Sequence, residues 1–176
     1  MIIRLKILLL TILSSLVGIS IGNLIILQYE ANTFKPWGWN NPPIVVNCYG
    51  KDLSKELLKE STDFWITKGE QIQDIEYDVS FKLCKNDNRI LDGYVRIFAG
   101  SEDNFDSKNV TGITIRKASS TFGMMGANIF VRDGGLSINY LLTHELGHAF
   151  GYTHIVADGH IMHPITGRMG GKFWIP

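Results

Sequence analysis

The sequence carries no excess charge of either sign. Its 176 residues hold 17 Lys and Arg against 17 Asp and Glu, a formal net charge of zero, so the electrostatic footprint of a nucleic-acid binder is missing. Cysteine is scarce. Cys48 and Cys84 are too few for a disulfide-built miniprotein, and they lack the CxxC spacing of a thiolate metal site. Internal repeats and a sustained Gly-X-Y pattern are also absent, which excludes a collagen. Charged residues make up only 19% against 45% hydrophobic, which excludes a disordered chain. Histidine is absent from the first 143 residues. All five (His144, His148, His154, His160 and His163) fall within the next 20. Histidine is the commonest metal ligand, so this clustering calls for a chemical explanation.

The length suits one domain with an appendage. The appendage is at the start. Arg4 and Lys6 precede 21 uncharged residues, Ile7 to Leu27, enough as a helix to span a bilayer core of about 30 Å. The flanking positive charges leave the N-terminus in the cytosol and send the rest across. Residues 1–29 therefore read as a signal anchor, or as a signal peptide cleaved near Ser20-Ile21-Gly22. The remainder lies outside the cytosol, membrane-anchored or secreted. A Cys48–Cys84 disulfide is permitted there but not required.

Residues 30–43, rich in Pro, Asn and Trp, read as a linker into a domain over 44–176. Ile44–Cys48 is a strand candidate. Asp52 is placed to cap a helix running to about Lys68, with Leu53, Leu57, Phe64 and Trp65 as its apolar stripe. Ile75–Leu83 alternates apolar and polar residues as a half-buried strand does. Gly93–Phe98, Gly112–Arg116 and Ala127–Val131 are further strands. Ser137 is placed to cap a helix from Ile138 to about Phe150. The tail from Gly151 has no clear periodicity. This order predicts a mixed α/β (α+β) domain, with its two helices on opposite faces of the sheet or both on one.

The second helix carries His144-Glu145-Leu146-Gly147-His148. Spacing of i and i+4 puts both imidazoles on one face, and Glu145 projects beside them. Gly151 can end the helix in a left-handed conformation and return His154 as a third ligand. Three imidazoles leave one corner of a tetrahedral Zn²⁺ open, the arrangement of a catalytic ion. Met162 follows eight residues after His154. HELGHAFGYTH with HIMHP resembles the metzincin zinc endopeptidases, whose pattern is HExxHxxGxxH with a Met-turn. Within that clan it is most similar to the matrixins: the interval to Met162 matches, x-Pro follows the methionine, and no tyrosine stands two residues after it. The resemblance is specific over 144–164 and extends in organisation over roughly 43–166.

The resemblance implies a twisted, mostly parallel sheet of four to five strands with an antiparallel edge strand and two main helices. It implies one catalytic Zn²⁺ on His144, His148 and His154, with Glu145 as general base and then proton donor to the leaving amine. Met162 becomes an apolar floor rather than a ligand. Ile113 to Ala118 is the candidate edge strand expected to pair antiparallel with an extended protein or peptide substrate, with Ile113, Thr114 and Ile115 as its substrate-binding residues. Tyr140 stands where matrixins limit the pocket for the residue after the cut, and Pro164, beside the Met-turn, is a further candidate for substrate binding. His160 and His163 read as loop residues lining that side. Because imidazole must be neutral to bind metal, activity should fall at acid pH. Some matrixin features are missing: no cysteine-switch motif is present, no histidine remains for a second zinc, and little chain follows Met162 for a further helix. Ca²⁺ sites are not supported, since Glu102, Asp103 and Asp106 read as a solvated loop. Two alternatives use the same residues: a catalytically inactive metzincin-like protein-binding module, and a hydrolase of cell-wall peptides.

Overall fold

A computed structural model describes residues 34–80 and 82–176. The expected anchor or signal peptide, residues 1–29, lies outside the described residues. Among those that are described, no helix is long and apolar enough to cross a membrane.

The elements run β1 (Ile44–Asn47), α1 (Lys55–Thr67), β2 (Asp74–Glu76), β3 (Tyr94–Ala99), β4 (Gly112–Ser119), β5 (Gly123–Val131) and α2 (Leu141–Ala149), with short 3₁₀ turns at Glu102–Asn104, Gly135–Ser137 and Thr166–Arg168. The five strands form one sheet in the order β2-β1-β3-β5-β4. All pairs are parallel except β4 with β5, so β4 is an antiparallel edge strand.

Both helices pack on one face of this sheet. Strand alternation sends Val95 and Ile97 of β3 and Ala127 and Ile129 of β5 to that face, where they meet Leu58 and Trp65 of α1 and Leu142 and Leu146 of α2. The buried stripe of α1 is Leu58, Ser61, Thr62 and Trp65. It differs from the stripe expected from apolar residues alone because Ser61 and Thr62 are accommodated by hydrogen bonds. Ser61 Oγ lies 3.2 Å from Thr143 Oγ1, and Thr62 Oγ1 donates to the Leu58 carbonyl. Trp65 Nε1–H donates to the Thr143 carbonyl at 2.7 Å, tying α1 to the helix that bears the histidines.

The opposite face carries a smaller cluster, Phe98, Phe105 and Phe130, flanked by a Cys48–Cys84 disulfide. Arg96 of β3 is fully buried on this side. Its Nε–H donates to Asn128 Oδ1, and its Nη groups donate to the carbonyls of Leu83 and Arg89. A guanidinium cannot be buried without such partners.

Four local expectations are corrected. The strand expected over Ile75–Leu83 is only Asp74–Glu76, since the chain beyond it leaves the sheet and turns its carbonyls onto Arg96. The first helix is capped by Ser54, whose side chain accepts from Leu57 N–H, and not by Asp52. The second begins at Leu141 after Tyr140, which adopts φ 67°, so Ser137 closes a 3₁₀ turn instead of capping it. The stretch read as a linker is packed onto the domain from Phe34 onward. Phe34 is buried, its carbonyl accepts from Thr153 N–H, and Trp39 Nε1–H donates to the Ala149 carbonyl.

Candidate metal centre and cleft

Helix α2 presents His144 and His148 one turn apart. After it, the chain reverses at Gly151, with φ +100°, and brings back His154. The Nε2 atom of His148 lies 3.1 Å from Nε2 of His144 and 3.1 Å from Nε2 of His154. For comparison, bonds of about 2.0–2.1 Å to one tetrahedral ion place ligand nitrogens roughly 3.3 Å apart.

The hydrogen bonds behind two of the rings orient them. Nδ1–H of His144 donates to the Ile161 carbonyl at 2.8 Å, and Nδ1–H of His148 to the Tyr152 carbonyl at 2.8 Å. A carbonyl can only accept, so the hydrogen resides on Nδ1 and the Nε2 lone pair faces the centre. Burial lowers the pKa of His144 to about 4 and of His148 to about 3, and lowers that of His154 as well. The rings are thereby held in the neutral form that ligation requires. His144 is buried, His148 half-buried and His154 exposed, so the group is open on one side. These three residues can hold a metal ion. The donor set suits zinc without singling it out.

Glu145 is 4% exposed. Its Oε2 accepts a 2.6 Å hydrogen bond from the Thr114 hydroxyl of β4. Burial raises its pKa to about 7 against the opposing effect of that bond. Gly112, also on β4, lets the carboxylate come this close: a Cβ there would lie 2.7 Å from Oε1. Met162 is fully buried beneath the helix. A Cβ on Gly147 would lie 2.4 Å from Met162 Sδ and 2.5 Å from a Trp65 ring carbon, so the glycine inside HELGH lets the floor approach α2.

A cleft of about 670 Å³ runs between β4 and the segment after Met162, past the three histidines and Glu145. Ile113, Thr114, Pro164 and His163 line it. Ile115 is 45% exposed on β4, outside the cleft lining. Tyr140 is also outside the lining, with its hydroxyl near Gly171, and Leu141 takes its place in the wall. Arg116, Ile165, Thr166 and Met169 line the cleft without having been singled out by sequence. Only Arg116 left a signal there, since strand alternation puts it on the same face as Thr114.

His160 is not in the lining. It is fully buried, in contact with the rings of Phe34, Phe173 and Trp174. Its Nδ1 accepts from the Met162 amide at 3.0 Å, and its Nε2–H donates to the Trp174 carbonyl at 3.1 Å. It therefore clamps the turn at Met162 to the tail. Burial lowers its pKa. A folded-state base with a depressed pKa binds fewer protons than its unfolded counterpart, so stability should fall as pH drops below the ordinary value near 6.5. A His160→Gln variant should show a shallower loss of Tm between pH 7 and 5 than the wild type. Parallel curves would exclude this contribution.

No model of a known protein family matches the chain, and no curated protein matches it.

Proposed function

We propose that the protein is a zinc-dependent metalloendopeptidase of metzincin type, similar to the matrixins, acting on protein or peptide substrates outside the cytosol. The observation that carries this reading is the convergence of three Nε2 atoms beside a buried carboxylate, at the wall of a cleft flanked by the edge strand β4. His144, His148 and His154 would hold the ion. A zinc ion bound there supplies Lewis-acid activation of water and of the scissile carbonyl.

The chain's own residues do the rest. Thr114 holds Oε2 of Glu145 and so fixes the carboxylate plane. Oε1 has no protein hydrogen-bond partner among the described residues and is the oxygen free to take a proton from the attacking water. Glu145 then holds that proton and gives it to the departing amine. The outer edge of β4 offers backbone groups to an extended peptide. Met162 and Trp65 beneath α2 fix the helix that carries two of the ligands.

Zinc quantification tests the centre directly. The purified domain should bind one equivalent, and His154→Ala, which removes the exposed ligand, should lose it along with cleavage of an unstructured protein. A chelator should abolish cleavage, and zinc should restore it. A domain that cleaves equally well after exhaustive chelation would refute the reading. A domain that binds zinc but cuts no peptide would favour the inactive binding module, and selective cleavage of cell-wall peptides would favour that narrower hydrolase.

A further inference from the structure

Arg116 lies two residues after Thr114 on the helix-facing side of β4, where it lines the cleft with Glu145, His148 and His154. Its surroundings are unusual for a cation. Nη1 lies 3.5 Å from the His148 carbonyl and 3.4 Å from the Tyr152 carbonyl, both at the outer limit of a hydrogen bond. The guanidinium carbon is 5.6 Å from the centre of the Trp37 ring. Among the described residues, no carboxylate forms an ion pair with it, whereas Arg132 and Arg168 each have an acidic partner. Burial lowers its pKa with no acidic neighbour to oppose the effect. A partly desolvated guanidinium with five donors and, among the described residues, only two distant carbonyls can take a carboxylate from outside the chain.

The strand sets where that carboxylate would come from. β4 is a sheet edge, and a peptide added to it antiparallel runs opposite to the direction Thr114 to Arg116. Thr114 marks the level of Glu145 and hence of the reacting bond. Arg116 is displaced from it by two residues, about 7 Å along the strand, toward the part of the substrate that precedes the cut. We propose that Arg116 is a specificity residue that pairs with an acidic side chain on the N-terminal side of the scissile bond. The favoured substrates are then extended peptides with Asp or Glu in that position. This inference rests on the proteolytic reading for its polarity along β4.

The test uses quenched peptides that differ only in carrying Glu, Gln or Lys at one of the three positions before the cut. At one position the wild type should prefer Glu over Gln by about tenfold in kcat/KM, with Lys poorest. Arg116→Ala should bring Glu and Gln to parity, Arg116→Lys should keep the order, and Arg116→Glu should invert it. If Arg116 only braces the turn between His148 and Tyr152, each variant lowers all three peptides by the same factor, and the proposal is overturned. Binding of the same peptides, fluorescently labelled, to Glu145→Gln gives a readout independent of catalysis. Charge-ordered binding with no cleavage by the wild type would uphold Arg116 and refute proteolysis. Charge-blind cleavage by the wild type would do the reverse.

Discussion

Replacing Glu145 by glutamine should lower kcat/KM on an unstructured peptide by about 10²- to 10⁴-fold, the usual share of a positioned acid–base group. It should leave the zinc content unchanged and should not lower the melting temperature. The two halves of this result have the same origin. Glu145 is 4% exposed, and among the described residues the Thr114 hydroxyl is its only side-chain partner. A carboxyl group pushed up to about 7 by burial is a group the fold would be more stable without as an anion. Glutamine keeps the length and the carbonyl oxygen that accepts from Thr114, while removing the capacity to take a proton. A residue retained for packing would show the opposite, with stability lost and turnover kept. Parallel measurement of single-peptide kinetics, metal content and thermal unfolding separates the two outcomes. Full activity in the glutamine variant would remove Glu145 from the chemistry.

The centre was legible in the sequence because its geometry is local. Residues i and i+4 on a helix must share a face, and a glycine three residues past the second histidine is enough to reverse the chain. His144, His148 and His154 meet for those reasons alone. What surrounds them is set by distant segments and left little trace. His160 reads as one more loop histidine because its partners, Phe173 and Trp174, belong to a tail without periodicity, and its buried environment is built partly by Phe34 from the other end of the domain. The sequence says of Arg116 only that alternation puts it on the same strand face as Thr114. Only the placement of α2 beside β4 turns it toward a cleft.

The fold divides along the same line. The individual strands and the two helices follow from alternation and spacing, the mostly parallel order with its antiparallel edge follows from the resemblance to the matrixins, and both are present. The alternation of Ile75, Tyr77, Val79 and Leu83 misleads because a buried cation on β3 recruits the carbonyls of Leu83 and Arg89. A periodic pattern reports which side chains prefer burial. It does not report a backbone diverted to satisfy a charge elsewhere. The start of α2 is misplaced for a related reason: Gly134 and Tyr140 both adopt positive φ, and the chain makes a separate 3₁₀ turn between them before the helix begins.

Gly151→Ala should be among the most damaging single methyl additions in the domain, and two independent terms predict it. The residue has φ +100°, a conformation that disfavours any Cβ and costs about 1–3 kcal/mol. A Cβ there would also lie 1.7 Å from the Trp37 carbonyl oxygen. That atom is backbone, within the segment that Phe34 and Trp39 pin to the domain, so it cannot swing aside as a flexible side chain would. Overpacking of this kind adds about 1–3 kcal/mol. The sum, about 2–6 kcal/mol, corresponds to a fall in Tm of roughly 5–20 °C for a domain of this size. Because Gly151 is also the point at which the chain turns back toward His154, zinc affinity should fall with stability. Gly151→Asn separates the causes: asparagine tolerates positive φ better than alanine but still carries a Cβ. If the approach of Trp37 dominates, Asn will be as harmful as Ala; if backbone conformation dominates, it will be milder. An alanine variant that melts with the wild type and binds zinc as tightly would mean that the chain does not make this turn, and the third ligand would lose its structural basis.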